Sequence, residues 1–120
     1  MNLNEHLKAK GALTITLRDE NNAVKEVREV PNLVVTAGKN HIAAKIAATT
    51  NSPVSMTHMA IGTGSTSAAA GDTTLGTEGG RVSLSGSVVS TNTITYTATF
   101  PAGTGTGAVT EAGIFNNSSG

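Results

Sequence analysis

The sequence predicts a mainly β fold: an antiparallel β-sandwich, jelly-roll-like, with one short α-helix at about 37–48. Three observations predict it. Segments alternating apolar and polar residues recur along the chain, separated by turns rich in Gly, Asn and Pro. A single stretch, around Ile42 and Ile46, carries apolar residues at helical spacing. Five or more strands beside one helix leave antiparallel sheets as the layers that must cover one another. The 120 residues suit one ordinary domain, read as 12–120 after an N-terminal arm over 1–11.

In chain order, the arm is polar, with Leu3 and Leu7 four apart. That spacing suits one helical turn or a segment that docks on a partner. Leu13, Ile15 and Leu17 then alternate with Thr14, Thr16 and Arg18, the period of a half-buried strand. Asp19 to Asn22 has turn chemistry. Val24 to Val30 returns as the second strand of a hairpin, an edge whose register is poorly specified because Val27 opposes Val24 and Val30. Pro31 is expected to end the hairpin. Leu33, Val34 and Val35 form a short apolar run, and Thr36 is the expected N-cap of the helix through AGKNHIAAKIAA. Ile42 and Ile46, with Ala43 and Ala47, give that helix its apolar stripe.

Met56 to Ile61 reads as a strand, followed by a tract of Gly, Ser, Thr and Ala. Val82, Leu84, Gly86 and Val88 alternate with Ser83, Ser85 and Ser87 as one further strand. Thr91 and Asn92 can turn the chain. Ile94, Tyr96, Ala98 and Phe100 then alternate with a face made only of threonines, the strongest strand signal in the sequence. After the loop PAGTGTG, Ala108 to Phe115 is the last expected strand. No repeat of fixed period is present.

Composition narrows the function classes. Eight Lys and Arg balance eight Asp and Glu, which removes the simplest electrostatic case for nucleic acid or an anionic membrane. Seven of the eight basic residues lie before position 46; beyond them only Asp72, Glu78, Arg81 and Glu111 are charged. The second half is therefore solvated chiefly by hydroxyls. Tyr96, Phe100 and Phe115 are the only aromatics, so the core of a monomer is expected to be thin, and subunit contacts are the expected remedy. No cysteine offers a disulfide or a thiolate. No run approaches the length of a membrane helix, and MNLNEHLKAKG has no apolar stretch of the secretion-signal kind. These features read as a protein made in the cytoplasm and used in an assembly.

The tract MAIGTGSTSAAAGDTTLG (59–76) invites a phosphate-binding reading and fails it. A dinucleotide fingerprint starting at Gly62 needs a third glycine at 67, where Ser67 stands. A P-loop starting there needs its second glycine at the same place, and no lysine follows. An anion-binding helix terminus near Ser65 is the weaker variant; the tract reads as a connector. His6, His41 and His58 are scattered without metal-ligand spacing, His41 being read as a surface or interface residue and His58 as hydrogen-bonded or facing a partner. Glu78 and Glu111 are the only acids near glycine-rich loops. For Glu78 the structural use is an ion pair with Arg81; for Glu111 it is acceptance of backbone N–H bonds from a neighbouring turn. No serine is marked as activated. No catalytic, cofactor or metal site is expected, and so no enzyme. Aromatics and basic residues occupy opposite halves, against nucleic-acid binding, and one Thr-x-Thr strand cannot make an ice-binding array.

Four stretches together are similar to virion proteins of tailed bacteriophages of the tail-fibre or tail-collar-like kind. They are NLVVTAGKNHIAAKIA (32–47), MTHMAIGTGSTSAAAGDTTLGTE (56–78), GGRVSL (79–84) and TITYTATFPAGTGTGAVTEAGIFN (93–116), and the hairpin LTITLRDENNAVKEVREV looks like the usual lead-in. The resemblance covers the chain from about residue 12. It implies a non-enzymatic structural protein of the virion, a fibre or fibre-anchoring domain on tail, collar or head, homotrimeric, with other virion proteins as partners. The alternative is a capsid decoration (cement) protein on the phage head; a soluble ligand-binding module is a third class. Such chains usually continue past GIFN with Gly-Gly-Thr and one or two more strands, whereas this one ends Asn117-Ser118-Ser119-Gly120. It reads either as a naturally short protein or as a longer chain cut, and a neighbouring subunit is one source from which the last sheet would be closed. Candidate contact residues are Leu3 and Leu7 on the arm, Ile42 and Ile46 on the helix, and Thr95 and Thr97 on the threonine-faced strand.

Overall fold

The computed structural model describes residues 8–47 and 53–119. Within them the protein is mainly β, antiparallel throughout, with one helix. In chain order the elements are β1 (Gly11–Arg18), β2 (Val24–Asn32), α1 (Thr36–Ala47), β3 (His58–Gly62), β4 (Glu78–Ser83), β5 (Gly86–Ser90), β6 (Thr93–Thr97) and β7 (Glu111–Phe115). They form three small sheets: the hairpin β1–β2, a three-stranded sheet in the order β4-β3-β7, and the hairpin β5–β6.

The first hairpin is turned by Asp19. Its Oδ1 accepts from the backbone N–H of Asn21 and of Ala23, each at 2.9 Å, and Asn22 takes the left-handed φ of 64° that asparagine tolerates. Leu13 pairs with Val30 and Ile15 with Arg28, then the register shifts between Leu17 and Arg18 so that Arg18 meets Val24. The bulge lies beyond Val27, so Val27 opposite Thr16 and Val30 opposite Leu13 stay on different faces, and all three valines are exposed. Pro31 does not end the strand: β2 runs on to Asn32, Pro31 lying opposite Ala12. An edge tolerates proline because only one side of the strand must donate to a ladder.

The helix begins one residue earlier than Thr36 capping requires. Lys39 N donates to Val35 O at 3.1 Å, so Val35 takes the cap position, and the Thr36 N–H is satisfied by Ala70 O at 2.8 Å. The helix N-terminus is thus closed by the glycine-rich tract. The tract itself forms no helix, which removes the anion-binding variant at Ser65.

The expected strand through Val82 and Val88 is two strands. At Leu84 and Ser85 the chain changes partner: Leu84 N donates to Thr57 O (2.9 Å) and Ser85 N to Thr97 O (2.7 Å). The alternation continues across the break because both segments are extended, but β4 belongs to the central sheet and β5 to the second hairpin. Elsewhere the bounds move inward: β3 starts at His58, β6 stops at Thr97 and β7 starts at Glu111, with Thr57 N still donating to Phe115 O and Thr110 N to Gly62 O just outside the ladder.

The centre of the fold is β3, among the described residues the one strand paired on both edges. Ala60 is the only buried hydrophobic residue described, and ten large hydrophobic side chains are exposed. The chain measures 60 × 27 × 27 Å and exposes 8946 Å², where a compact monomer of 12.0 kDa exposes about 6,000 Å².

Candidate functional site

Two polar junctions hold the central sheet together, and both are built on residues singled out in the sequence. The first is Glu111. As the first residue of β7 it lies opposite Gly62, the last residue of β3, so its side chain reaches both ends of the glycine-rich tract. Oε2 accepts from Gly64 N and Thr77 N, and Oε1 from Gly76 N, each at 2.7 Å. The neighbouring Thr110 completes the closure: its N–H donates to Gly62 O (2.9 Å) and its Oγ1 to Gly64 O (2.6 Å). Thr63 N donates to Thr77 O at 3.0 Å. Residues 63–77 are therefore a loop with its ends drawn together, the Ω-loop geometry.

Desolvation is the largest single influence on the Glu111 carboxyl and opposes its ionisation. The three backbone N–H donors, from Thr77, Gly76 and Gly64, together outweigh it and hold the carboxyl below its ordinary pKa. The group is an ionised acceptor fastened to three donors, a geometry that holds backbone rather than exchanging protons. The carboxylate also accounts for the glycines that look like a phosphate motif. A Cβ at Gly62 would collide with the Thr77 backbone oxygen and stand 2.7 Å from Oε2, and one at Gly64 would stand 2.9 Å from Oε1. The anion cradled by this loop is the protein's own.

The second junction is Arg81 on β4. Its Nε and one terminal nitrogen donate to the two oxygens of Glu78 at 3.0 and 2.6 Å. The other terminal nitrogen donates to Asn117 O (3.2 Å) and Asn117 Oδ1 (2.9 Å). The guanidinium lies 3.9 Å from the centre of the Phe115 ring, and the side chain is 5% exposed. One arginine thus ties β4 to the end of β7 across the intervening β3, with its planar fork used on both sides. Asn117 and the stacking on Phe115 are not legible in the sequence; the only cue is the one basic residue in a half that holds just four charges. His58, on β3, has its Nδ1 2.7 Å from Thr57 Oγ1 and its Nε2 3.4 Å from Ser83 Oγ.

The PAGTGTG loop lies over this sheet. Gly105 has φ of 69°, and a Cβ there would meet Ile61 Cδ1 at 2.5 Å; a Cβ at Gly80 would meet Gly105 N at 2.9 Å. Glycine is needed at 105 both for the backbone conformation and for the close approach.

The candidate contact residues are not brought together. Leu3 and Leu7 lie outside the described residues. Ile42 and His41 are half-buried on α1, while Ile46 is 70% exposed. Thr95 and Thr97 are exposed on β6. The hairpin β1–β2 meets the segment before β7 through a shallow groove lined by Leu13, Ile15, Val30 and Val109, where Arg28 donates to Val109 O at 3.4 Å. Among the described residues no three His, Asp or Glu side chains gather as metal ligands would, and no described helix is long and apolar enough to cross a membrane.

No protein-family model matches this chain, and no curated protein or solved structure does so either.

Proposed function

We propose that this chain is a non-enzymatic structural protein of a bacteriophage virion, a fibre or fibre-anchoring domain that works through protein–protein contacts, as a homotrimer, with its strands forming sandwich layers in the assembly. One observation carries the reading beyond the sequence resemblance. The described residues bury a single hydrophobic side chain, Ala60, and leave Val54, Val88, Val89, Ile94 and Ile46 more than half exposed. Elements this thin gain their apolar cover from neighbours.

The polar junctions fit that use. Glu111 and Arg81 fix loop and sheet through hydrogen bonds that need no large core, so each copy presents a defined surface before assembly. Pre-ordering of this kind lowers the entropy that association must otherwise overcome.

Quantitative protein analysis of purified virions tests the proposal. The expected result is this chain present at the low copy number of a tail or vertex appendage. A copy number matching that of the capsid subunits would replace it with the decoration-protein reading, and absence from the particle would overturn both.

A further inference from the structure

We infer that the hairpin β5–β6 is the self-association element, and that its occupant is a second copy of this chain. The inference rests on the reading of the protein as an oligomer and names the surface. Val89 and Ile94 are directly opposed and share one face of the hairpin, 69% and 53% exposed; Val88, 63% exposed, stands beside Thr95 on the other face. A lone two-stranded hairpin is at best marginally stable in water. This one is extended by one position at its base, where Ser85 N and Oγ both donate to Thr97 O, and runs directly into β4 through Leu84.

Charge separates this hairpin from the other one. The hairpin β1–β2 carries Arg18, Lys25, Glu26, Arg28 and Glu29, with Pro31 near its end, the residues that keep exposed edges from pairing. Between Arg81 and Glu111 there is no Asp, Glu, Lys, Arg or His at all. Among the described residues both outer edges of β5–β6 are unpaired, and no charged side chain guards them. A surface without charge suits an identical surface in particular, because copies brought face to face meet no like-charge repulsion.

The apolar cover that the chain as a whole lacks, on β1–β2 as well as on β5–β6, is of the size one partner supplies. The chain exceeds the compact-monomer expectation by about 3,000 Å². The thirteen residues outside the description account for at most about 1,900 Å², their full unfolded share. The excess then left over a described portion of correspondingly smaller mass is about 1,500 Å². One partner of an obligate interface buries about 1,000–2,500 Å².

Sedimentation velocity of the full chain against its Val89→Lys, Ile94→Lys and Val27→Lys variants tests the inference, with circular dichroism to confirm that each folds. The expected result is an oligomeric wild type, self-association weakened by at least about 100-fold in Val89→Lys and Ile94→Lys, and little change in Val27→Lys on the guarded hairpin. A Thr95→Cys variant, the only thiol in the chain, labelled with pyrene, should show excimer emission from hairpins meeting in the assembly. An oligomeric wild type with ribbon variants unchanged and no excimer would overturn the assignment of the surface and leave the oligomer standing. A sharply melting wild-type monomer would overturn both. Virion placement is read separately, from copy number.

Discussion

Glu111 and Gly64 occupy one another's space: the Gly64 N–H donates to Glu111 Oε2 at 2.7 Å, and a Cβ at residue 64 would lie 2.7 Å from the carboxylate carbon. The glycine is there because the carboxylate is. Gly64→Ala is expected to destabilise the fold by about 1–3 kcal/mol, the usual cost of overpacking a fitted site. Urea unfolding measures the loss, and hydrogen exchange should show Gly76 and Thr77 N–H losing protection first. An alanine variant as stable as the parent would contradict the geometry.

Replacing the carboxylate should remove a pH dependence as well as stability. The folded-state pKa of Glu111 is depressed, so its contribution is complete above the ordinary glutamate value of about 4.3 and is lost as pH falls through the lower folded-state value. Glu111→Gln presents an NH₂ where one backbone donor expects an acceptor, at an expected cost of about 1–3 kcal/mol near neutral pH. Chemical denaturation at pH 7 and at pH 3 should show a smaller difference between variant and parent at the acid end. A constant difference across that range would remove Glu111 as its source.

Arg81→Lys keeps the charge and loses the fork. Lysine cannot serve both oxygens of Glu78 and both acceptors of Asn117 while stacking on Phe115. The expected loss is about 1–3 kcal/mol, read as a lowered melting temperature. Retention of the parental melting temperature would show that the fork is dispensable.

Thr91 is the turn residue of β5–β6 and has φ of 56°, a conformation that costs a β-branched residue about 1–2 kcal/mol. Thr91→Gly removes that cost but gives back part of it as extra freedom in the unfolded chain. A net gain of about 0.5–1 kcal/mol is expected, measured by denaturant midpoint. A destabilised glycine variant would mean the threonine side chain contributes more than its backbone conformation costs.

The sequence by itself determined the element types. Period-two alternation marked β1 and β6, the single helical stripe around Ile42 marked α1, and Asp19–Asn22 and Thr91–Asn92 marked the turns, because these depend on local sterics and on which face can be apolar. It also named Glu78, Arg81 and Glu111, as the only acids near glycine-rich loops and the one basic residue close enough to pair with the first of them. Only the tertiary structure decided which partners those were. Glu111 reaches Gly64 and Gly76 because β7 pairs with β3 in the register that sets Glu111 opposite Gly62. Arg81 reaches Asn117 because β4 and β7 flank the same strand. The break at Leu84–Ser85 was hidden for the same reason: alternation reports that a segment is extended, whereas the strand it pairs with is a long-range choice that no local pattern encodes.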